Sequence, residues 1–258
     1  MDESMKFLRQ TESQLAAQYG NSALGQRVTV GRFIVADGTI EALKWMALVL
    51  MVLDHINKYF FAEQLPGIFP IGRIVMPIFG FVLAYNLARP DAHKRGVHGR
   101  MMRRLALMGL IASPIVILLN GTVVSHDGWW PLNILWTLLL VVTLVYLIER
   151  GGVARYAVAV ALFIVGGALV EYLWMGVLAC LGAWAFCREA SSARMLAWFL
   201  GTLSLSVVNA NTWALVAIPI VWAASKVTLR IPRSKWVFYA FYPAHLGALL
   251  AVKKLGLY

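Results

Sequence analysis

His55 lies in Ala42–Ile56, the apolar run ALKWMALVLMVLDHI, with Lys44 eleven residues before it. Eleven steps of about 100° return a helix to nearly the same face, and eleven rises of about 1.5 Å separate the two by roughly 16 Å. One helix face therefore carries a cation near one end and a titratable imidazole near the other, with Asp54 as the imidazole's sequence neighbour. An imidazole titrates near neutrality, so it can take a proton from an attacking nucleophile. Ionisable groups at membrane depth are costly and point to function by default. The bland alternative is an interfacial histidine, with Asp54 and Lys58 as a solvated i,i+4 pair.

Other groups add to this pattern. His245, in FYPAHL, is a second histidine within an apolar segment, and Tyr242 lies one turn before it. Arg73 begins the second helix, in GRIVMPIFGF, where basic topology signals do not account for it; it can pair with Asp54 or point into a cavity. Pro77 predicts a kink in that helix. Arg100, Arg103 and Arg104 form an RxxRR at the start of a third helix. Positions i, i+3 and i+4 share a face, so these guanidiniums can converge on one polyanion, and forked donors suit phosphate. The same arginines also serve as topological charge or lipid-headgroup contacts. Asn133, Glu171, Asn209 and Asn211 lie near helix ends, as pocket residues or as ordinary loop termini. His93, His98 and His126 fall in loops and read as solvated surface. No zinc-ligand spacing, P-loop, GxSxG or nucleotide fingerprint occurs, and no metal is expected.

The elements that must hold these groups are membrane helices. The chain has 258 residues and is 60% hydrophobic, against about 45–50% in soluble domains. Its apolar segments are long and continuous rather than alternating, which selects an all-α polytopic bundle over a barrel. The segments run 40–60, 69–88, 104–120, 132–149, 153–170, 172–187, 195–210, 213–226 and 236–252, giving about nine transmembrane helices, with eight to ten allowed by the short ones. Residues 1–38 read as a cytoplasmic N-terminal segment, interfacial or disordered, and 39–258 as one membrane domain. The net charge of +11 reflects basic cytoplasmic loops, 89–104 and 226–235 above all, rather than nucleic-acid binding. This places the N-terminus in the cytoplasm, Lys44 near the cytoplasmic face and His55 near the outer face. Cys180 and Cys187 share one apolar helix and read as packing residues.

Four blocks carry a family resemblance: ALKWMALVLMVLDHINKY (42–59), GRIVMPIFGFVLAYNLAR (72–89), PLNILW (131–136) and FYPAHL (241–246). In this order, over most of residues 40–250, the chain resembles the TraX family of conjugative pilin acetylases. It is also distantly similar to acyltransferase-3-like membrane enzymes. Those have a basic residue, ten residues and then a catalytic His in the first helix, with RxxR later. Lys44 with His55, and Arg100 with Arg103, match those patterns; lysine keeps the charge of the usual arginine without its fork. The resemblance implies an inner-membrane enzyme that moves acetyl from acetyl-CoA to the N-terminal amine of a pilin subunit. Lys44, Arg100, Arg103 and Arg104 would hold the donor phosphates, and His55 would be the general base. Asp54 or Tyr242 would orient its ring, and Arg73, His245 or Asn133 would stabilise the oxyanion. The implied partners are pilin, acetyl-CoA and membrane lipids. A sugar or lipid hydroxyl is the alternative acceptor. A pilus-assembly scaffold or small transporter is the non-enzymatic alternative.

Overall fold

An unbroken apolar run can satisfy all its backbone polar groups within one segment only as a helix, and helices are what form. The computed structural model describes residues 31–120, 128–234 and 236–256; residues 1–30 of the N-terminal segment expected over 1–38, and His126, lie outside them. Helix α1 spans Asp37–Phe60, a short α2 Ile68–Gly72, α3 Val75–Leu87, α4 Val97–Asn120, α5 Ile134–Arg150 and α6 Val153–Leu169. Then come α7 (Leu173–Arg188), α8 (Ser192–Ser204), α9 (Ser206–Asn209), a 3-10 turn (Trp213–Val216), α10 (Ala217–Ala224) and α11 (Val237–Lys254). Each apolar segment read from the sequence coincides with one helix or an adjoining pair. Among the described residues the only β-type pairing is an isolated bridge between Leu132 and Val170. Among the described residues two helical segments are, by length and composition, long and apolar enough to cross a membrane, Ile68–Leu87 with 20 residues and Val97–Asn120 with 24. Val153–Leu169, Leu173–Arg188 and Trp213–Ala224 are apolar but shorter.

The kink expected at Pro77 takes the form of a break one turn earlier. Pro77 has no N–H for the carbonyl of Arg73, so the helical ladder cannot run through that point. α2 ends at Gly72 and α3 restarts at Val75, which leaves Pro77 in a first turn, where proline is tolerated. Arg73 is thereby placed at a corner beside the end of α1.

α3 is the central post. Ile78, Phe81 and Ala84 are fully buried, and the helix packs on α1 and α7. α4 packs on α5 and α11, and α11 also reaches α1. The extended residues before α1 lie on this core. Phe33 meets Phe81 and Phe186 at ring separations of 6.1 and 5.1 Å. The Tyr85 hydroxyl donates to the Val35 carbonyl at 2.7 Å and accepts from the Val35 N–H at 3.0 Å.

α7 and α8 pack closely, through small residues on both sides. A Cβ on Gly182 would lie 2.8 Å from the Trp198 Cα, and one on Gly201 would lie 2.8 Å from the Leu178 carbonyl oxygen. Both neighbours are backbone and cannot step aside. Gly182→Val is expected to destabilise the fold by about 1–3 kcal/mol through overpacking, read as an earlier thermal transition in detergent. An unchanged transition would contradict the packing.

Large apolar side chains cover the outer faces, among them Leu110 and Ile111 on α4, Val160 and Ile164 on α6, and Leu196 and Leu200 on α8. Continuous exposed apolar surface on several helices is costly in water and natural against lipid.

Candidate active site

α1 and α11 bring the two apolar-segment histidines together. His55 Nδ1 lies 2.6 Å from His245 Nε2. The rings are within 2° of parallel with centroids 4.9 Å apart, which is the geometry of an in-plane N–H···N bond. The proton positions follow from the next link. His245 Nδ1 is 3.0 Å from the Phe241 carbonyl oxygen. A carbonyl only accepts, so His245 carries its proton on Nδ1 and presents a lone pair at Nε2. His55 must then donate from Nδ1, and its own Nε2 is left unprotonated. The chain Phe241 C=O, His245, His55 thus delivers a free imidazole lone pair at His55 Nε2.

The orienting partner of His55 is therefore His245, in place of the Asp54 or Tyr242 expected from the sequence. Asp54 is one residue round the helix, about 100° away, and its carboxylate accepts from the Arg73 guanidinium at 3.2 Å. Gly72 permits this approach, because a Cβ there would overlap the Asp54 carboxylate. Arg73 also faces Glu63 at 3.6 Å and rests on the Phe69 ring at 4.4 Å. Tyr242 packs edge-on against both imidazoles, at 6.1 and 5.6 Å between centroids.

Two cavities meet at this point. The larger, about 370 Å³, is lined by Lys44, Arg89, Arg95, Arg100, Arg104 and Arg233 together with apolar residues, and no acidic residue lines it. The smaller, about 70 Å³, is lined by Asp54, His55, Lys58, Glu63, Arg73, Glu171 and Tyr172. Met51, Phe79, Ile134 and Tyr242 line both and form the partition between them. Lys44, Met51 and His55 stand at i, i+7 and i+11, so one face of α1 runs from the basic cavity across the partition to the imidazole.

The basic groups are not equivalent. Lys44 Nζ is 2.5 Å from Glu41 Oε2 and 4.2 Å from the centre of the Phe238 ring. The other Glu41 oxygen accepts the Ser234 N–H at 2.8 Å. Arg89 pairs with Asp37. Arg95, Arg100, Arg104 and Arg233 have no carboxylate at ion-pair distance among the described residues, and Arg104 stacks on Trp236 at 4.5 Å. Of the RxxRR arginines, Arg100 and Arg104 line the cavity; Arg103 is exposed and does not. Nothing in the local sequence marks Arg89, Arg95 and Arg233 as site residues rather than loop charge, and Glu41 is marked only weakly. The signal available for Glu41 was its place one turn before Lys44 on the same face.

The remaining polar residues divide. Glu171 and Tyr172 enter the small cavity because the Leu132–Val170 bridge folds that turn inward. The Leu132 N–H donates to the Leu169 carbonyl and the Glu171 N–H to the Leu132 carbonyl, both at 2.8 Å. Asn133 is a helix cap: its side chain accepts the Leu135 N–H at 3.1 Å and donates to Ser113 Oγ at 3.1 Å. It lines neither cavity, nor do Asn209 and Asn211. One loop histidine needs correction. His98 is only 2% exposed, because α4 begins at Val97, well before its apolar run, and carries that ring against the end of α5.

The profile of the family described as TraX protein matches residues 39–253. Protein TraX from Escherichia coli is 28% identical over 229 residues, which cover 83% of this chain and 88% of that protein. No solved structure matches significantly.

Proposed function

The chain belongs to the TraX family over residues 39–253, and on that premise we propose that it is a multi-pass inner-membrane acetyltransferase acting from acetyl-CoA on the N-terminal amine of a conjugative pilin subunit. The carrying observation is the partition shared by a cavity whose charged lining is all basic and a small cavity holding His55. A polyanionic donor held on one side and a nucleophile held on the other would meet there.

The diphosphate and ribose phosphate of acetyl-CoA would sit on Arg95, Arg100, Arg104 and Arg233, forked donors suited to phosphate. The arm would run along the apolar lining toward Met51 and Tyr242. The roughly 16 Å of helix rise between Lys44 and His55 suits such an arm. The acceptor would be drawn to the small cavity as an ammonium by Asp54, Glu63 and Glu171, release one proton to water, and react as the free amine. As its nitrogen attacks the thioester carbonyl, His55 Nε2 takes the amine proton. Lys58 and Arg73 are the cations that would stabilise the oxyanion. The C–S bond then breaks, the thiolate leaves, and His55 returns the proton to it. His245 holds the ring throughout. The exposed apolar faces of α4, α6 and α8 would meet lipid, with the basic loops and N-terminus on the cytoplasmic side.

Two experiments test this. Intact-mass spectrometry of pilin from cells with and without the chain should show one acetyl group gained only in its presence. No gain removes pilin as acceptor, and acetyl-CoA binding then separates a sugar or lipid hydroxyl acceptor from a scaffold. For the donor site, Arg104→Gln should raise the acetyl-CoA KM about tenfold, the loss of one charge-assisted contact, while Arg103→Gln leaves it unchanged. Equal effects of the two would refute the assignment of the basic cavity.

A further inference from the structure

At the basic end of the molecule, outside both cavities, three ligand-type side chains from three parts of the chain converge. His93 comes from the loop between α3 and α4, His98 from the first turn of α4, and Glu149 from the last turn of α5. One ligand atom of each lies within 4.8 Å of the others. His98 is 2% exposed, yet neither ring nitrogen makes a hydrogen bond. Its Nε2 stands 3.1 Å from Glu149 Oε2, close but not aligned for N–H donation. Buried polar groups are nearly always hydrogen-bonded, so an imidazole in this state needs an explanation.

We propose that His93, His98 and Glu149 form a binding site for a divalent transition metal of the zinc class, separate from the His55 centre. Two imidazoles and one carboxylate are a ligand set that zinc takes, with a fourth position left for water. Ligands about 2.0–2.2 Å from one ion stand roughly 3–4 Å apart, and the 3.1 Å between His98 Nε2 and Glu149 Oε2 falls in that range. The surroundings fit as well. The Glu149 oxygen on the far side faces Arg188 at 3.8 Å, which would steady the carboxylate from outside the coordination sphere. The Tyr146 ring walls the site, 5.8 Å from His93 and 6.0 Å from His98. The loop is folded for the purpose: the Val97 N–H donates to the Ala92 carbonyl at 3.0 Å, and Gly96 has a positive φ of 62°, which returns His93 beside His98.

Such an ion would tie the 88–96 loop and the start of α4 to the end of α5. Arg89 and Arg95 on that loop and Arg100 on α4 line the basic cavity, so the ion would fix the cavity's rim. It would take no part in chemistry at His55.

The test uses the full chain in detergent, purified without a polyhistidine tag and stripped with chelator, then titrated with Zn²⁺ and Co²⁺. One ion per chain should survive gel filtration, and Co²⁺ should give the visible absorption of a low-coordinate nitrogen and oxygen site. His93→Gln, on a half-buried loop position, and Glu149→Gln should each weaken binding at least tenfold, whereas His55→Ala should leave it unchanged. The proposal is overturned if the wild-type chain retains no ion. It is equally overturned if binding survives both His93→Gln and Glu149→Gln, or is lost in His55→Ala, which would place the ion on the His55–His245 pair.

Discussion

His55→Ala is expected to lower acetyl transfer by at least about a hundredfold, since a positioned general base contributes roughly 10²–10⁴ to the rate. The hydrogen-bond chain from the Phe241 carbonyl through His245 leaves His55 Nε2 as the one imidazole lone pair not used within the dyad. His55 also lines the small cavity, beside the partition to the basic one. Its sequence neighbour Asp54 is committed to Arg73 at 3.2 Å. The loss should fall on kcat, with the acetyl-CoA KM little changed, because the groups that would hold the donor lie at the other end of α1. Expression and the thermal transition should persist, since a methyl leaves only the partly buried His245 Nε2 unpaired. Steady-state kinetics on the reconstituted protein would settle the matter, and retained turnover would remove His55 from the proposed mechanism.

His245→Phe is expected to cut kcat by about ten- to a hundredfold, which corresponds to one hydrogen bond of roughly 1–3 kcal/mol that holds the reactive tautomer. Phenylalanine keeps the ring that stacks on Phe241 at 5.2 Å and removes the acceptor at Nε2. His55 could then place its proton on either nitrogen and turn its ring. His245 is a positioning residue, so the useful readout is a split between parameters. kcat should fall while the acetyl-CoA KM and the thermal transition hold. His245→Gln should recover part of the rate, because its amide oxygen can accept the Nδ1–H. A simple structural role would lower stability in both variants and show no such rescue.

Much of the fold was legible in the sequence. The apolar segments fixed the helices because hydrophobic runs and their flanking charges are local signals. The break at Pro77 was legible in kind but misplaced by a turn, since the missing N–H acts on the carbonyl of Arg73, four residues earlier. Residues on one helix face were also readable: the Lys44 and His55 spacing follows from the helix repeat alone, and the structure places one in each cavity.

Local patterning is enough to specify a helical chain with a basic end and a histidine set apart from it along α1. Which groups meet depends on how the helices pack. His245 lies 190 residues from His55, and nothing local says that their nitrogens face each other. The same holds for Arg233 joining Arg100 and Arg104 around one cavity, for Arg103 facing away, and for His98 closing on Glu149. The physical reason is that periodicity fixes the direction of a side chain on its own helix. Whether that direction opens onto lipid, a cavity or a partner depends on which helices pack alongside. That choice rests on close contacts such as Gly182 on Trp198 and Gly72 on Asp54, which exist only once the bundle has formed.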